Sequence, residues 1–371
     1  MATKDKVLNL LSKSNGKNIS GEELAAECGV SRAAIWKAVN ALRAEGCKIE
    51  GTTNGGYVIS DSDIFSEEIF KEKFFSRYPD FSDCHIECFK EIDSTNTHAK
   101  RLLAESGNLR DSAGKLTQAG IKLHKAILIA EKQTAGRGRI GRTFVSPEKA
   151  GIYFSIIYAP EGGIKDPARL TAGSAVAVCR AIKRIFKSIN LEPKIKWIND
   201  IFLDNKKICG IGTEGIANFE SGLIESAIIG IGVNIRINKE IAGTALEKIA
   251  GSIEEAIISK SSVDENSSIN LPNLNRADIA SEIIGEVLSI LQEDSKSPQA
   301  HKKIIQEYKE NSFLTGKNIT VFPLIGDKKS SYKATVTDID ENAGLVVTLS
   351  NGTTRTLRSG EVSLKSGEFV T

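Results

Sequence analysis

The spacing of apolar residues changes character along the 371-residue chain, and each change predicts a different set of elements. At the start the period is helical. Leu8, Leu10 and Leu11 mark one short amphipathic helix, and a second opens at Ser20, where Glu23 completes a capping-box signature and Gly29 ends the helix. A third begins at Ser31 with Ile35, Val39 and Leu42 on one face, and two strand-like pieces, 47–51 and 55–59, then bracket a turn at 52–55. Helices joined by so short a turn and followed by a hairpin predict a winged helix-turn-helix.

The middle of the chain mixes periods. Continuous apolar runs at 126–130, 152–158 and 227–233 predict buried strands, with further strand-like segments at 85–92 and 194–203. Helical patterns occupy 64–75, the segment after Asn96 through Leu103, and a longer run that Asp166 caps and Pro167 opens. Residues 61–63 read as a linker, 106–125 and 261–275 as loops, and 236–260 carries only weak helical signals. Ile279, Ile283, Val287, Leu288 and Leu291 mark a helix, and Pro298 begins another that ends near Asn311. From Gly316 onward the period is two, with an Asn351-Gly352 hairpin, which predicts a small β-barrel. The expected fold class is α+β and multidomain: a winged helix over 1–62, a central mixed sheet with helices over 63–312 and a barrel over 313–371.

Composition narrows the class of partner. A formal charge of +2 argues against bulk attachment to nucleic acid or membrane, so any DNA contact has to be local. The third helix offers one, because Ser31, Arg32, Trp36, Lys37, Asn40 and Arg43 stand off its apolar face. Six cysteines without a CxxC pair, an N-terminus without an apolar stretch and the lack of a membrane-length apolar run read as a reduced, cytoplasmic protein.

Candidate chemistry gathers at four places. Residues 133–142, Gln-Thr-Ala-Gly-Arg-Gly-Arg-Ile-Gly-Arg, alternate glycine with arginine, so exposed backbone N–H groups and guanidinium forks are aimed from one loop, as an anion requires. The loop satisfies GxGxxG, but a β-rich run follows it where a dinucleotide fingerprint needs a helix. Residues 93–96, Asp-Ser-Thr-Asn, exceed what one helix N-terminus needs and form a polar wall suited to a neutral amide or urea. On the segment 194–200, alternation sets Lys196 apart from Ile195 and Trp197 and beside Asn199 and Asp200, a fixed charge able to neutralise a carboxylate or phosphate. Gly230 and Gly232 allow close approach of a backbone or ring, and Asn234 ends that strand with a polar group.

In this order, and behind a winged helix, these four motifs resemble the biotin protein ligases, specifically the bifunctional type that also represses biotin operons. The resemblance implies a class II synthetase-like ligase domain, an SH3-like C-terminal barrel, and a two-step reaction. Biotin's carboxylate attacks the α-phosphate of ATP to give biotinyl-5′-adenylate, and a lysine of a biotin carboxyl carrier protein then takes the biotinyl group. It assigns Ser94, Thr95, Asn96 and Gln133 to the biotin head group, Arg137, Gly138 and Arg139 to a lid over biotin and the adenylate phosphate, and Lys196 to the reacting centre, with Arg139 and Lys196 catalytic. Phe144 and Asn234 fall to the nucleotide, and Ser31, Arg32, Trp36, Lys37 and Arg43 to operator DNA. ATP with Mg²⁺ and a ligand-promoted homodimer are also implied. Asp200 and Glu214 are the carboxylates at hand for the metal, with no choice between them. Ile140, Ile198 and Phe144 stand where the family commonly has a basic residue, a proline and a tryptophan. Two other readings stay open: a biotin-sensing regulator without ligation, and a lipoate-type ligase.

Overall fold

The computed structural model describes residues 3–14, 17–44, 47–52, 56–59, 63, 65–138, 141–217, 222–263, 274–323 and 329–364. At the N-terminus α1 (Thr3–Lys13), α2 (Gly21–Cys28) and α3 (Arg32–Ala44) precede β1 (Ile49–Thr52) and β2 (Gly56–Ile59). The Ser20 hydroxyl accepts from Glu23 N at 3.0 Å, and the Glu23 carboxylate accepts from Ser20 N at 2.8 Å, the reciprocal box read from the sequence. Gly29, at φ 69°, stops α2 and turns the chain into α3, as only a residue without Cβ does cheaply. Val7, Leu11, Leu24, Ile35, Val39 and Leu42 form the buried core, each worth about 1.5–3 kcal/mol. The wing strands pair antiparallel, Ile49 opposite Ile59; the expected turn residues 53–55 lie outside the described residues. Ile69 and Ala277, from helices beyond the wing, complete this core.

The central region runs through α4 (Glu67–Arg77), β3 (Ile86–Phe89), α5 (Thr95–Glu105), α6 (Gln118–Leu123), β4 (Ala126–Ala130), β5 (Gly151–Tyr158), α7 (Pro167–Ile185), β6 (Lys194–Lys196), β7 (Asp200–Leu203), β8 (Lys206–Ala217), β9 (Ile224–Asn234), α8 (Ile253–Val263), α9 (Arg276–Lys296) and α10 (Pro298–Asn311). Its seven-stranded sheet has the order β3-β4-β5-β9-β8-β7-β6; β3 and β4 are parallel and every other pair is antiparallel. Alternation divides the sheet. Ile129, Phe154, Ile231 and Ile211 face the helix layer of α7 and α9, whereas Leu128, Ile157 and Ile228 face α5 through Ala99 and Leu103.

Three expectations need correction here. The polar stretch 106–125 is not all loop. It contains α6, capped by Thr117, whose six residues bury only Gly120 and Leu123 and so are too few to show a period. Residues 236–260 resolve into two 3-10 turns and α8, which runs to Val263; the expected loop residues 264–273 lie outside the described residues. Asp63, read as part of a linker with 61 and 62, which are not described, is instead clamped by arginines. It accepts from Arg276 N and Nε at 2.8 Å each and from Arg236 Nε at 3.2 Å.

The C-terminal part is an antiparallel sheet of β10 (Asn318–Phe322), β11 (Tyr332–Ile339), β12 (Leu345–Thr348), β13 (Thr354–Leu357) and β14 (Glu361–Leu364), in the order β13-β12-β11-β10-β14. Among the described residues β13 and β14 are opposite edges and do not pair, so the observed element is a small sheet. Its inner residues Ile319, Val321, Val336 and Val347 are continuous with the core of the central sheet. The turn between β11 and β12 is its anchor: Ala343 O accepts from Trp197 Nε1 at 2.7 Å, and Glu341 O from His301 Nε2 at 2.6 Å.

Candidate active site

Strand register brings distant motifs onto one face. Successive cross-strand partners put Lys196, Asp200, Gly210, Gly232, Tyr153, Ala130 and Phe89 in one row across the sheet. The neighbouring row on that face holds Gly212, Gly230, Ser155, Leu128 and Glu87. Where glycines of β8 and β9 meet, the face is bare, and a cavity of about 60 Å³ lies over it. Ser94, Thr95, Asn96, Gln133, Arg137, Gly138 and Phe144 line this cavity, together with Asn199, Lys207 and the glycines.

The polar wall is a continuous hydrogen-bonded chain. Asn96 Nδ2 donates to Glu214 at 3.1 Å, Ser155 Oγ lies 2.5 Å from Asn96 Oδ1 and 2.7 Å from Thr95 Oγ1, and Thr95 N donates to Gln133 Oε1 at 2.9 Å. Gln133 Nε2 then reaches Ser146 Oγ at 2.9 Å, whose hydroxyl is 3.0 Å from Phe144 O. The four cap-type residues divide their work. Asp93 turns outward to Arg101 at 2.7 Å and 2.9 Å, and these bonds hold its carboxyl down to about 2. Ser94 makes no side-chain cap bond, and Thr95 and Asn96 are buried in the first turn of α5, facing the cavity. Ser155 is a residue sequence reasoning missed; its signal was a lone hydroxyl within an otherwise apolar strand.

The Gly/Arg loop is a narrow arch. Gln133 bridges Ser146, Arg137 bridges Thr143, and Gly138 N donates to Arg142 O at 2.7 Å. Arg139 and Ile140 lie outside the described residues. Below the arch the Phe144 ring is seated on Gly232: a Cβ there would stand 2.5 Å from Phe144 Cε1. That ring leaves room for only a few waters.

Lysines sit at two places along the sheet. Lys196 is at the end of its row on edge strand β6, does not line the cavity, and holds its ammonium 5.9 Å above the Phe202 ring. Lys207 lines the cavity and pairs with Asp200 at 2.7 Å. The turn before it is confined to Asp204 and Asn205, both at positive φ, so β8 starts at Lys206 and carries Lys207 as a strand residue. Asn234 also stands off the cavity, with Nδ2 donating to Gly251 O at 2.9 Å. Glu214 pairs with Lys100 at 2.5 Å; burial raises its pKa, but the bonds from Lys100 and Asn96 and the charges of Lys100 and Arg137 bring it below the usual carboxylate value.

At the other end of the chain, Ser31 Oγ accepts from Ala34 N at 3.2 Å and so starts α3. Arg32, Trp36 and Lys37 are exposed on that helix, Trp36 at 57 %. Arg43 is exposed as well, yet its Nε donates to Ile49 O at 2.9 Å, which ties the helix to the wing.

A model of the biotin/lipoate A/B protein ligase family matches residues 113–234, and a model of an HTH domain matches residues 3–58. The bifunctional ligase/repressor BirA of Bacillus subtilis (strain 168) is 32% identical over 251 residues, covering 67% of this chain and 70% of that protein. This chain belongs to the bifunctional ligase/repressor family. The bifunctional ligase/repressor BirA of Escherichia coli (strain K12) aligns over 358 residues at 26% identity, covering 95% of each chain. The fold is shared with the biotin protein ligase from Aquifex aeolicus in complex with biotin and ATP, at a TM-score of 0.54 and 21% identity over 75% of this chain and 97% of that one. In this ligase/repressor the ligase match covers the Gly/Arg loop, β8 and β9, and the HTH match spans the N-terminal helices and the wing strands.

Proposed function

We propose that this chain makes biotinyl-5′-adenylate from biotin and ATP and transfers the biotinyl group to a lysine of a carrier protein. The observation that carries the proposal is the hydrogen-bonded wall from Glu214 to Gln133 over a glycine floor, with cationic side chains along the same sheet face. A biotin oxygen attacks the α-phosphorus and pyrophosphate leaves; the carrier amine then attacks the biotinyl carbonyl and AMP leaves. Substrates supply both nucleophiles, so the protein positions them and offsets charge. Ser94, Thr95, Asn96 and Gln133 hold the head group. Arg137, Gly138 and Arg139 cover it, Lys196 faces the reacting oxygens, and Phe144 and Asn234 lie on the nucleotide side. Seating the ligand requires Phe144 to leave Gly232.

Asp200 and Glu214 are each paired with a lysine, and among the described residues no three His, Cys, Asp or Glu side chains form a metal cluster. These residues do not fit a preformed Mg²⁺ cage; a magnesium ion would arrive on the phosphates of ATP. The winged helix over 1–62, the ligase domain of class II synthetase type over 63–312 and an SH3-like module over 313–371 are the domains we infer. Support for the last is the five-strand meander whose final strand returns beside its first. Operator binding through Ser31, Arg32, Trp36, Lys37 and Arg43 by a ligand-promoted homodimer completes the reading, in a cytoplasm that keeps the six free cysteines reduced.

Purified protein given biotin and α-labelled ATP should accumulate biotinyl-adenylate and, with a carrier domain, label its lysine. No adenylate would sink the proposal, and preference for lipoate in competition would redirect it. Gly230 gives a sharper local test. A Cβ at this position would stand 2.2 Å from Asn96 Oδ1, which its bonds hold in place. Gly230→Ala should weaken biotin binding about tenfold by calorimetry, at a stability cost of about 1–3 kcal/mol.

A further inference from the structure

The chain of hydrogen bonds in the polar wall has a direction, and it is set at one end. A carboxylate only accepts, so Glu214 Oε1 fixes Asn96 with Nδ2 toward it at 3.1 Å and Oδ1 toward Ser155. Ser155 has one hydroxyl hydrogen, and the 2.5 Å contact with an amide oxygen consumes it. The Thr95 hydrogen then has two acceptors in reach, Ser155 Oγ at 2.7 Å and Gln133 Oε1 at 3.2 Å, and the shorter contact, for which Ser155 has no hydrogen left, takes it. Thr95 therefore turns its hydrogen inward and leaves lone pairs for the cavity. Inverting the Asn96 amide would reverse each of these bonds and turn the Thr95 hydroxyl from acceptor to donor. Lys100 occupies Glu214 Oε2 at 2.5 Å, which leaves Oε1 to Asn96.

We propose that Glu214 is a positioning residue for the biotin head group: it sets the donor and acceptor polarity of Asn96, Ser155 and Thr95, and so selects a cyclic urea whose N–H faces the Thr95 oxygen. This rests on reading the cavity as the biotin site. Glu214 lies on β8 outside the cavity lining, three side chains removed from the Thr95 oxygen. A mismatched polar wall leaves buried groups unpaired, which discriminates strongly between ligands of similar shape.

The test compares Glu214→Leu with Glu214→Gln, both in a Lys100→Met background, where no ammonium competes for the single amide oxygen of Gln and that oxygen still accepts from Asn96. Glu214→Leu should raise the biotin Kd and KM roughly tenfold or more, while the KM for ATP and kcat at saturating biotin change less than about threefold, and Glu214→Gln should restore most of the loss. Equal impairment of both variants, or a parallel rise in both KM values together with a fallen Tm, overturns the assignment. Wild-type protein that binds no biotin overturns the reading of the cavity and this role with it. Wild type that binds biotin beside an unaffected Glu214→Leu overturns the role alone.

Discussion

Lys196→Ala should slow biotinyl-adenylate formation by about 10²–10³, equivalent to about 2.7–4 kcal/mol of transition-state stabilisation, while leaving biotin affinity within a few fold. The split follows from position. Ser94, Thr95, Asn96 and Gln133 surround the glycine floor, whereas Lys196 lies two strands beyond Gly210 in the same row, a separation of about 10 Å at ordinary strand spacing. A ligand with its bicyclic end over Gly230 and its carboxylate reaching across Gly210 into the neighbouring row would bring its reacting oxygen toward that ammonium. The Phe202 ring beneath Lys196 limits where the side chain can go. Lys207→Ala is the control, because Lys207 lines the cavity but is already paired with Asp200. Single-turnover adenylation separates the two. Full activity in Lys196→Ala with a large loss in Lys207→Ala would move the charge-stabilising role to β8.

Much of this site was legible because its chemistry is concentrated in sequence. Four cap-type residues at 93–96 are more than a helix start requires, and Thr95 and Asn96 do face the cavity. Glycine alternation on β9 announced a bare floor, and the winged helix declared itself through Ser20, Glu23 and the spacing of Ile35, Val39 and Leu42. What stayed hidden depends on register. Ser155 meets Thr95 and Asn96 only because β5 pairs with β9 so as to set Ser155 opposite Gly230. Lys207 is not singled out by the sequence, because its place over the cavity depends on how β8 pairs with β7. Glu214 looked like a metal ligand because nothing local reveals Asn96 and Lys100, both more than a hundred positions away. Asp63 was hidden in the same way, since its polar neighbours imitate a linker while its partners, Arg236 and Arg276, lie 173 and 213 positions further along the chain.

Arg276→Met should therefore cost about 3–5 kcal/mol of stability, the range for breaking a buried ion pair from one side. Arg276 is 1 % exposed and satisfies two acids at once, Asp63 through Nε at 2.8 Å and Glu131 through Nη2 at 3.1 Å. Methionine preserves much of the stem but abandons both carboxylates. Burial already holds Glu131 above the usual carboxylate value, against the lowering pull of Arg276, so losing the arginine raises it further. The pH dependence has a definite sign. A carboxyl whose folded-state pKa is raised favours folding while it is protonated, below its unfolded value, and that contribution is lost as pH rises through the raised one. The variant's deficit should accordingly be largest near neutrality and shrink toward pH 4.5, where protonated Glu131 no longer needs a partner. Urea unfolding at the two pH values measures this, and Glu131→Gln in the same background should recover part of the loss non-additively. A deficit independent of pH and additive with Glu131→Gln would mean that Arg276 stabilises the junction by packing alone. The same experiment reaches the site, because Glu131 lies two residues before Gln133, and the clamp on Asp63 joins the end of the winged helix to the strand that leads into the Gly/Arg loop.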